Sequence, residues 1–313
     1  MQAPVAIIVN RNAGALRRDA RLIERLRQRA GNAAPIHVTS DLAALRALCE
    51  RLAREGVQIV GVVGGDGTAS VTLTALWQAF QAQPLPQIAL LRGGSMNTVA
   101  SSLGTGKGSP LALLDRLMRV LQRPGLQRTR ARPALRVAND RLGFLFGTGV
   151  WYSYLAETYR AGPPSFPEYV SVLSRLFASA AVNGAMARRI TKSAPTTVRL
   201  RDGEWANAPY LCIAAGTVAD VGFGVQPFER AFSCEDSFQL LAVRGSARDV
   251  LRALPDLWLG RGFDEHTAYQ ALTDFAELDA TQGFVEYSVD GDVDTLRGPL
   301  KIELGPRFEF LCL

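Results

Sequence analysis

The sequence predicts a parallel α/β domain followed by a mostly antiparallel β domain. Three observations carry that expectation. A strand–loop–helix rhythm repeats four times in the first 127 residues, the pattern of a parallel sheet with helices on both faces. Beyond Gln127 short β-rich runs take over, separated by Asn139-Asp140, Asp202-Gly203 and Asp290-Gly291, pairs that favour tight turns. A chain of 313 residues with 48% hydrophobic and 20% charged side chains suffices for two buried cores. The expected domains are 1–127 and 128–304.

Each element follows from local pattern. VAIIVN (Val5–Asn10) is a continuous apolar run, as a buried parallel strand should be. Leu22, Ile23 and Leu26 have helical spacing, and IHVT (Ile36–Thr39) is a short strand. Asp41 is a good N-cap for a helix reaching about Arg54. The strand VQIVGVV (Val57–Val63) precedes a helix carrying Val71, Leu73, Leu76 and Phe80; QIALL (Gln87–Leu91) is the fourth strand. In the second domain, ALRVAND, RLGFLFGTGV, TTVRLRDG, PYLCIAAGTV, FQLLAVRG, FVEYSVDG and LKIELGP read as strands. Helical insertions are expected near Pro167–Arg189 and Ser246–Leu259. In the first insertion Val170, Leu173, Phe177 and Met186 share one side, and Arg188, Arg189 and Lys192 cluster at its end. Such a stripe is usually core, with cations complementing the helix dipole; the alternative is a membrane-touching surface.

Composition removes several function classes. The net charge is +6, but the excess is scattered arginine, with only Lys107, Lys192 and Lys301 as lysines. No run of like charge marks a nucleic-acid arm, so anionic small molecules or lipid surfaces are expected and nucleic acid is not. Cys49, Cys212, Cys234 and Cys312 lie far apart, and His37 and His266 are isolated. That spacing argues against zinc, a disulfide framework or a histidine-based triad, and for reduced, buried thiols. The opening MQAPVAIIVNRNAG lacks the build of a leader, and no apolar run approaches 18 residues. A cytoplasmic protein with peripheral membrane contact is expected.

Three loops follow parallel strands, where open α/β sheets bind ligands: Asn10–Gly14, Gly64–Thr68 and Gly93–Thr98. Their glycines let backbone N–H groups approach an anion, and the helices behind them offer positive ends. Thr68, Ser95, Asn97 and Thr98 add polar donors. Neither a Walker A motif nor G-x-G-x-x-G is present. Asp66 needs a reason, because a carboxylate repels phosphate unless a cation lies between them. It either caps the next helix or works with a magnesium–nucleotide complex.

GGDGTASVTLTAL resembles the nucleotide-binding signature of the diacylglycerol kinase catalytic-domain family, which includes bacterial lipid kinases, sphingosine kinases and ceramide kinases. IIVNRNAG resembles its first loop, LRGGSMNTVASSLG its third, and VADVGFGVQP a glycine-rich stretch in its second domain. YSVDGDVDTLRGPLKIEL resembles its Asp-Gly-Glu segment. The resemblance spans the chain in order and implies an NAD kinase/lipid kinase-like α/β domain, a β-sandwich, and nucleotide in the cleft between them. A tail from about 305 to 313 would return to the first domain. By position, Asn10, Asn12, Gly14, Thr39, Gly64, Gly65, Asp66, Gly67, Thr68, Ser95 and Asn97 would hold ATP. Asp292 would be the general base with Asp290 beside it, and Asp66 would join catalysis and meet Mg²⁺ through the nucleotide. The implied activity is γ-phosphate transfer from ATP to a diacylglycerol-like lipid hydroxyl, with the lipid met at a membrane surface. A homodimer stays open.

Departures and rivals accompany the resemblance. Arg11 replaces a usual proline, Val71 stands where many members have glutamate, and Thr74 stands near a frequent asparagine. Asn97-Thr98 replaces Asn-Asp, and Asp292 is one methylene shorter than glutamate. Cys234-Glu-Asp-Ser-Phe238 lacks an Asp-Gly pair, which puts a structural magnesium site in doubt. Asp290-Gly291 also reads as a plain hairpin turn. The GGDGT motif is shared with NAD kinases, although their later Asn-Glu and Thr-Asp-Gly segments are not found here. A non-catalytic nucleotide or lipid binder is the third reading.

Overall fold

The four predicted strand–helix repeats form one parallel sheet in a computed structural model that describes residues 4–123, 127–160, 162, 164–182 and 184–313. Asn183, inside the expected helical stretch, lies outside the described residues, as do the first three residues of the opening segment. The chain divides into two units, Met1–Arg132 with Pro306–Leu313, and Pro133–Gly305.

Unit 1 contains β1 (Val5–Asn10), α1 (Gly14–Arg18), α2 (Leu22–Ala30), β2 (Ile36–Thr39), α3 (Leu42–Arg54) and β3 (Ile59–Val63). It continues through α4 (Asp66–Ala79), β4 (Gln87–Leu90), α5 (Thr98–Ser102) and α6 (Pro110–Leu121). The strand order is β2-β1-β3-β4, all parallel, and Phe310 of the returning C-terminal segment pairs in parallel with Ile88. All five residues of β3 and Val5–Val9 of β1 are buried, the mark of strands covered on both faces. On one face Ile7, Val9 and Ile59 pack with Leu22 and Leu26 of α2 and Leu113, Leu114 and Leu117 of α6. Helix α3 buries Leu45, Leu48, Cys49, Leu52 and Ala53, the i, i+3, i+4, i+7, i+8 stripe of an amphipathic helix. Asp41 caps it, accepting from Ala44 N–H at 2.8 Å. Because β2 and β3 flank β1 on opposite sides, connections diverge there and open a crevice at the strands' carboxyl ends.

Unit 2 begins inside β5 (Thr129–Val137) and continues with β6 (Arg141–Gly143), β7 (Leu145–Thr148), α7 (Val150–Tyr159), α8 (Phe166–Ala181) and α9 (Ala185–Ile190). Then come β8 (Thr196–Leu200), β9 (Gly203–Ala208), β10 (Cys212–Gly216), β11 (Phe238–Val243) and α10 (Ala247–Trp258). The last strands are β12 (Ala268–Thr273), β13 (Phe275–Ala280), β14 (Phe284–Val289), β15 (Asp292–Arg297) and β16 (Leu300–Leu311). One antiparallel sheet has the order β12-β11-β10-β7-β14-β15; the other runs from the start of β16 through β13 and β8 to β9. Phe146, Ile213, Leu240 and Val289 of the first sheet meet Val198, Leu278, Leu300 and Ile302 of the second in one core. The architecture is therefore α/β followed by an antiparallel sandwich.

Several elements differ from the sequence reading. WYSYLAETY, to which the sequence reading assigned no element, forms α7 together with Val150, the last residue of the expected strand RLGFLFGTGV. The expected 167–189 helix is two helices, and its buried stripe is Tyr169, Val172, Leu176 and Ala180, with Val170 exposed. That one-residue rotation seats Tyr169 against α7. Tyr154 donates to the Tyr169 carbonyl, and the Tyr159 and Tyr169 rings meet edge-on. Strands β9, β12, β13 and β15 extend the expected set. Cys49 and Cys212 are buried, with thiols pushed up to about 12 by burial, but Cys234 is exposed and Cys312 half-buried; all four are free. No helix among the described residues is long and apolar enough to cross a membrane.

Candidate functional site

The predicted nucleotide residues of unit 1 converge at the carboxyl ends of β1 to β4. Asn10 ends β1 in register with Thr39 at the end of β2. Its amide donates to Thr68 Oγ1 at 2.8 Å, tying the first loop to the second, while its carbonyl oxygen accepts from Asn12 N–H at 2.9 Å. Asn12 in turn donates to the Ser40 carbonyl. Gly14 stands at the start of α1 beside Gly93 O and Ser95 Oγ. The second and third loops touch backbone to backbone. Gly93 N–H donates to Gly64 O at 2.7 Å, and a Cβ on Gly94 would fall 2.3 Å from Gly65 Cα. Glycine is required at that crossing because any side chain would separate the loops. Asn97, at φ 53, closes the third loop by accepting from Gly94 N–H and donating to Gly94 O.

Asp66 is not the N-cap of α4: that position is Gly65, and Asp66 is the first helical residue. Its two carboxylate oxygens instead accept the N–H groups of Thr98 and Val99, each at 2.9 Å. These are the first two amides of α5, so Asp66 caps a helix 32 residues downstream and clamps the second loop to the third. Burial pushes its carboxyl above the ordinary range, opposed by those two N–H donors and by the positive charge of Arg92. Arg92, at φ 37, lies in the same concavity as Gly64, Gly65, Asp66 and Asn97, and its Nε is buried without a hydrogen-bond partner. Buried donors of a charged group are rarely left unpaired, so this one suits an anionic ligand. The charge of this guanidinium thus matches a phosphate, whereas the Asp66 oxygens are already committed to backbone. No group of three or more His, Cys, Asp or Glu able to hold a metal occurs among the described residues.

Replacing Asp66 with asparagine presents an amide NH₂ to a backbone N–H. The expected result is a loss of roughly 1–3 kcal/mol of stability and weaker nucleotide binding, read by thermal denaturation and calorimetric ATP titration. A variant that matched the parent in both would contradict the clamp.

The two acids of the distant turn lie on unit 2. Asp290 and Gly291, at φ 48 and φ 93, form the two-residue link between β14 and β15, the positive-φ hairpin that Asp-Gly favours. Asp290 is also buried. Its carboxylate accepts from Phe144 N–H and Leu145 N–H at 2.9–3.1 Å, and its own N–H donates to Leu145 O. It therefore works as a clamp on the junction of β6 and β7. Asp292, the first residue of β15, is different. One oxygen takes a 2.8 Å ion pair from Arg141, and its side chain is 44% exposed. Partial burial raises its carboxyl above the usual value, and Arg141 opposes that rise.

Arg92 and Arg141 are the participants that sequence reading did not single out. Nothing local marks either among 32 arginines; Arg92 directly follows the fourth strand, which is the one available cue.

Comparison with known proteins adds a second line of observation. Residues 4–125, which contain all three loops of unit 1, match the family model of the diacylglycerol kinase catalytic domain. The whole chain is similar in fold to the crystal structure of a diacylglycerol kinase from Bacillus anthracis str. Sterne. That match has a TM-score of 0.67 and 17% identity, covering 99% of this chain and 97% of that one. Two further chains from the same organism, named provisionally as diacylglycerol kinases, give TM-scores of 0.72 and 0.68 at 16% and 17% identity. They cover 99% of this chain and 95% and 97% of theirs. No match was found among curated proteins.

Proposed function

We propose that this chain, whose residues 4–125 belong to the diacylglycerol kinase catalytic-domain family, is an ATP-dependent lipid kinase. It transfers the γ-phosphate to the hydroxyl of a diacylglycerol-like lipid. The observation that carries the reading is the concavity around Arg92. The second and third loops of a kinase-family domain meet there backbone to backbone, beside a buried cationic donor whose Nε has no partner, and the first loop is tied to the second by Asn10 on Thr68.

In this reading Asn10, Asn12, Gly14, Thr39, Gly64–Thr68, Ser95 and Asn97 hold ATP, and Arg92 meets a phosphate oxygen. Asp66 acts by keeping the second and third loops together. Mg²⁺ carried on the phosphates would neutralise developing charge, as in phosphoryl transfer generally. Asp292 is the base that takes the lipid hydroxyl proton, and Arg141 holds that carboxylate ionised and oriented. Asp290 fixes the turn that presents it. Members of this class work mainly by positioning and electrostatics, which suits a site built from rigid loop contacts.

Incubation with γ-labelled ATP, Mg²⁺ and either a lipid extract or NAD tests the reading. Label in the lipid fraction is expected. Label in NAD, or tight ATP binding with no transfer to any lipid, would overturn it. The pH dependence tests the base. Arg141 stabilises the charged form of Asp292, so Arg141→Gln raises that carboxyl further. The acidic limb of kcat/KM then moves to higher pH. A limb that stays in place would remove Asp292 from the base role.

A further inference from the structure

Helices α8 and α10 lie side by side and antiparallel. At one end the rings of Phe166 and Phe223 meet with centroids 5.7 Å apart, and Trp258 Nε1 donates to Phe223 O at 3.3 Å. At the other end Arg248 donates to the Ala180 and Ala181 carbonyls. The first end carries a cluster of exposed apolar side chains from three segments: Phe166 (50%), Val170, Phe223, Trp258 (52%) and Leu259 (65%). Scattered exposed hydrophobics are ordinary, but a contiguous group on adjoining elements marks an interaction surface. Phe223 sits at φ 55, a conformation a bulky residue seldom adopts, on a turn closed by Val225 N–H to Gly222 O.

Charge separates within unit 2 in the same sense. Residues 150–192 and 246–261, which hold α7 to α10, carry eight Lys and Arg against four Asp and Glu; the rest of the unit carries eight against seventeen. Those four acids are already engaged. Glu157 pairs with Arg189, Glu168 and Asp249 complete capping boxes, and Asp256 pairs with Arg261. The helical layer is thus cationic as well as apolar at its tip, the combination that suits an anionic lipid interface, where tryptophan is a favoured residue.

We propose that the α8–α10 pair and the Phe223 turn form the face by which unit 2 docks on an anionic phospholipid surface. The choice of a lipid partner rests on the lipid-kinase reading, and the apolar tip enters the interface while Arg175 and Arg252 meet headgroups. The earlier expectation assigned Val170, Leu173, Phe177 and Met186 to this stretch; of these only Val170 belongs to the exposed cluster.

The test is co-sedimentation of the full chain, without nucleotide, with phosphatidylcholine vesicles made with or without one-third phosphatidylglycerol. The wild type is expected to bind the anionic vesicles, more weakly as salt rises. The triple variant Phe166→Ser, Trp258→Ser, Leu259→Ser should lose about tenfold or more of that binding. It should keep its turnover on a short-chain, monomeric diacylglycerol. Arg175→Glu, with no packing role to lose, provides a second variant should the first misfold; it should weaken binding to anionic vesicles only, by roughly tenfold. Absent wild-type binding, or binding that both variants retain, overturns the proposal. So does a wild-type dimer that the triple variant dissociates without any vesicle binding, which would assign the face to a second copy. Vesicle binding with no lipid phosphorylation would instead overturn the kinase reading and leave the docking face standing.

Discussion

Asp292→Asn is expected to lower lipid phosphorylation about 10²-fold or more while the protein stays folded. Asparagine has nearly the shape of aspartate but cannot take a proton, and removing a general base commonly costs that much. The fold has little to lose. Asp292 is 44% exposed on the side chain, and its ion pair with Arg141 is screened by water, so the pair is worth at most about 1 kcal/mol. The direction of its pKa agrees. A carboxyl raised in the folded state contributes less stability as its charged form fills with rising pH, and asparagine removes that charge. Steady-state kinetics with ATP saturating, together with thermal denaturation, gives both numbers. A fall in kcat with KM for ATP unchanged is the expected split; equal losses in kcat and melting temperature would make Asp292 a structural residue.

Asp290→Ala, two residues away, is expected to do the opposite. It should destabilise the protein by roughly 2–5 kcal/mol, because two backbone N–H groups lose a charged, buried acceptor and little water can replace it. Those groups, Phe144 N–H and Leu145 N–H, tie the β6–β7 junction to the β14–β15 turn. Alanine also loses the tolerance of aspartate for the φ of 48 found at this position. Asp290→Asn, which keeps one acceptor and the positive-φ preference, should fall between the two. Denaturant midpoints measure the series. A stable Asp290→Ala protein with abolished transfer would return Asp290 to the catalytic group.

Neighbouring residues of one short motif thus divide the labour, and sequence spacing alone could not divide it. Asp-Gly-Asp was legible both as a hairpin and as a catalytic segment; the structure forms the hairpin, with the first acid facing inward to the backbone and the second at the strand start. The same holds for Asp66. Its presence beside the glycines was legible, but its partners are amides of α5, and only the folded loop crossing brings them within 2.9 Å. The parallel half of the fold was readable because buried strands are uniformly apolar and α3 follows a strict 3–4 spacing. Helix α7 was not, since its aromatic run has no helical stripe, with few of its side chains fully buried. The buried face of α8 was shifted by one residue because both faces of that helix are apolar; its packing against α7 decides which is covered. Arg92 and Arg141 were silent for a simpler reason. An arginine becomes a site residue through what its guanidinium meets, and those partners come from other elements.

Mass spectrometry of a lipid panel incubated with ATP and Mg²⁺ by wild type and Asp292→Asn in parallel decides whether the chain phosphorylates a lipid and whether Asp292 serves that reaction. The expected result is a new phosphate on one class of hydroxyl lipid with the wild type, and a yield lower by about two orders of magnitude with the variant. Equal phosphorylation by both proteins, or none by the wild type on any lipid, would contradict it.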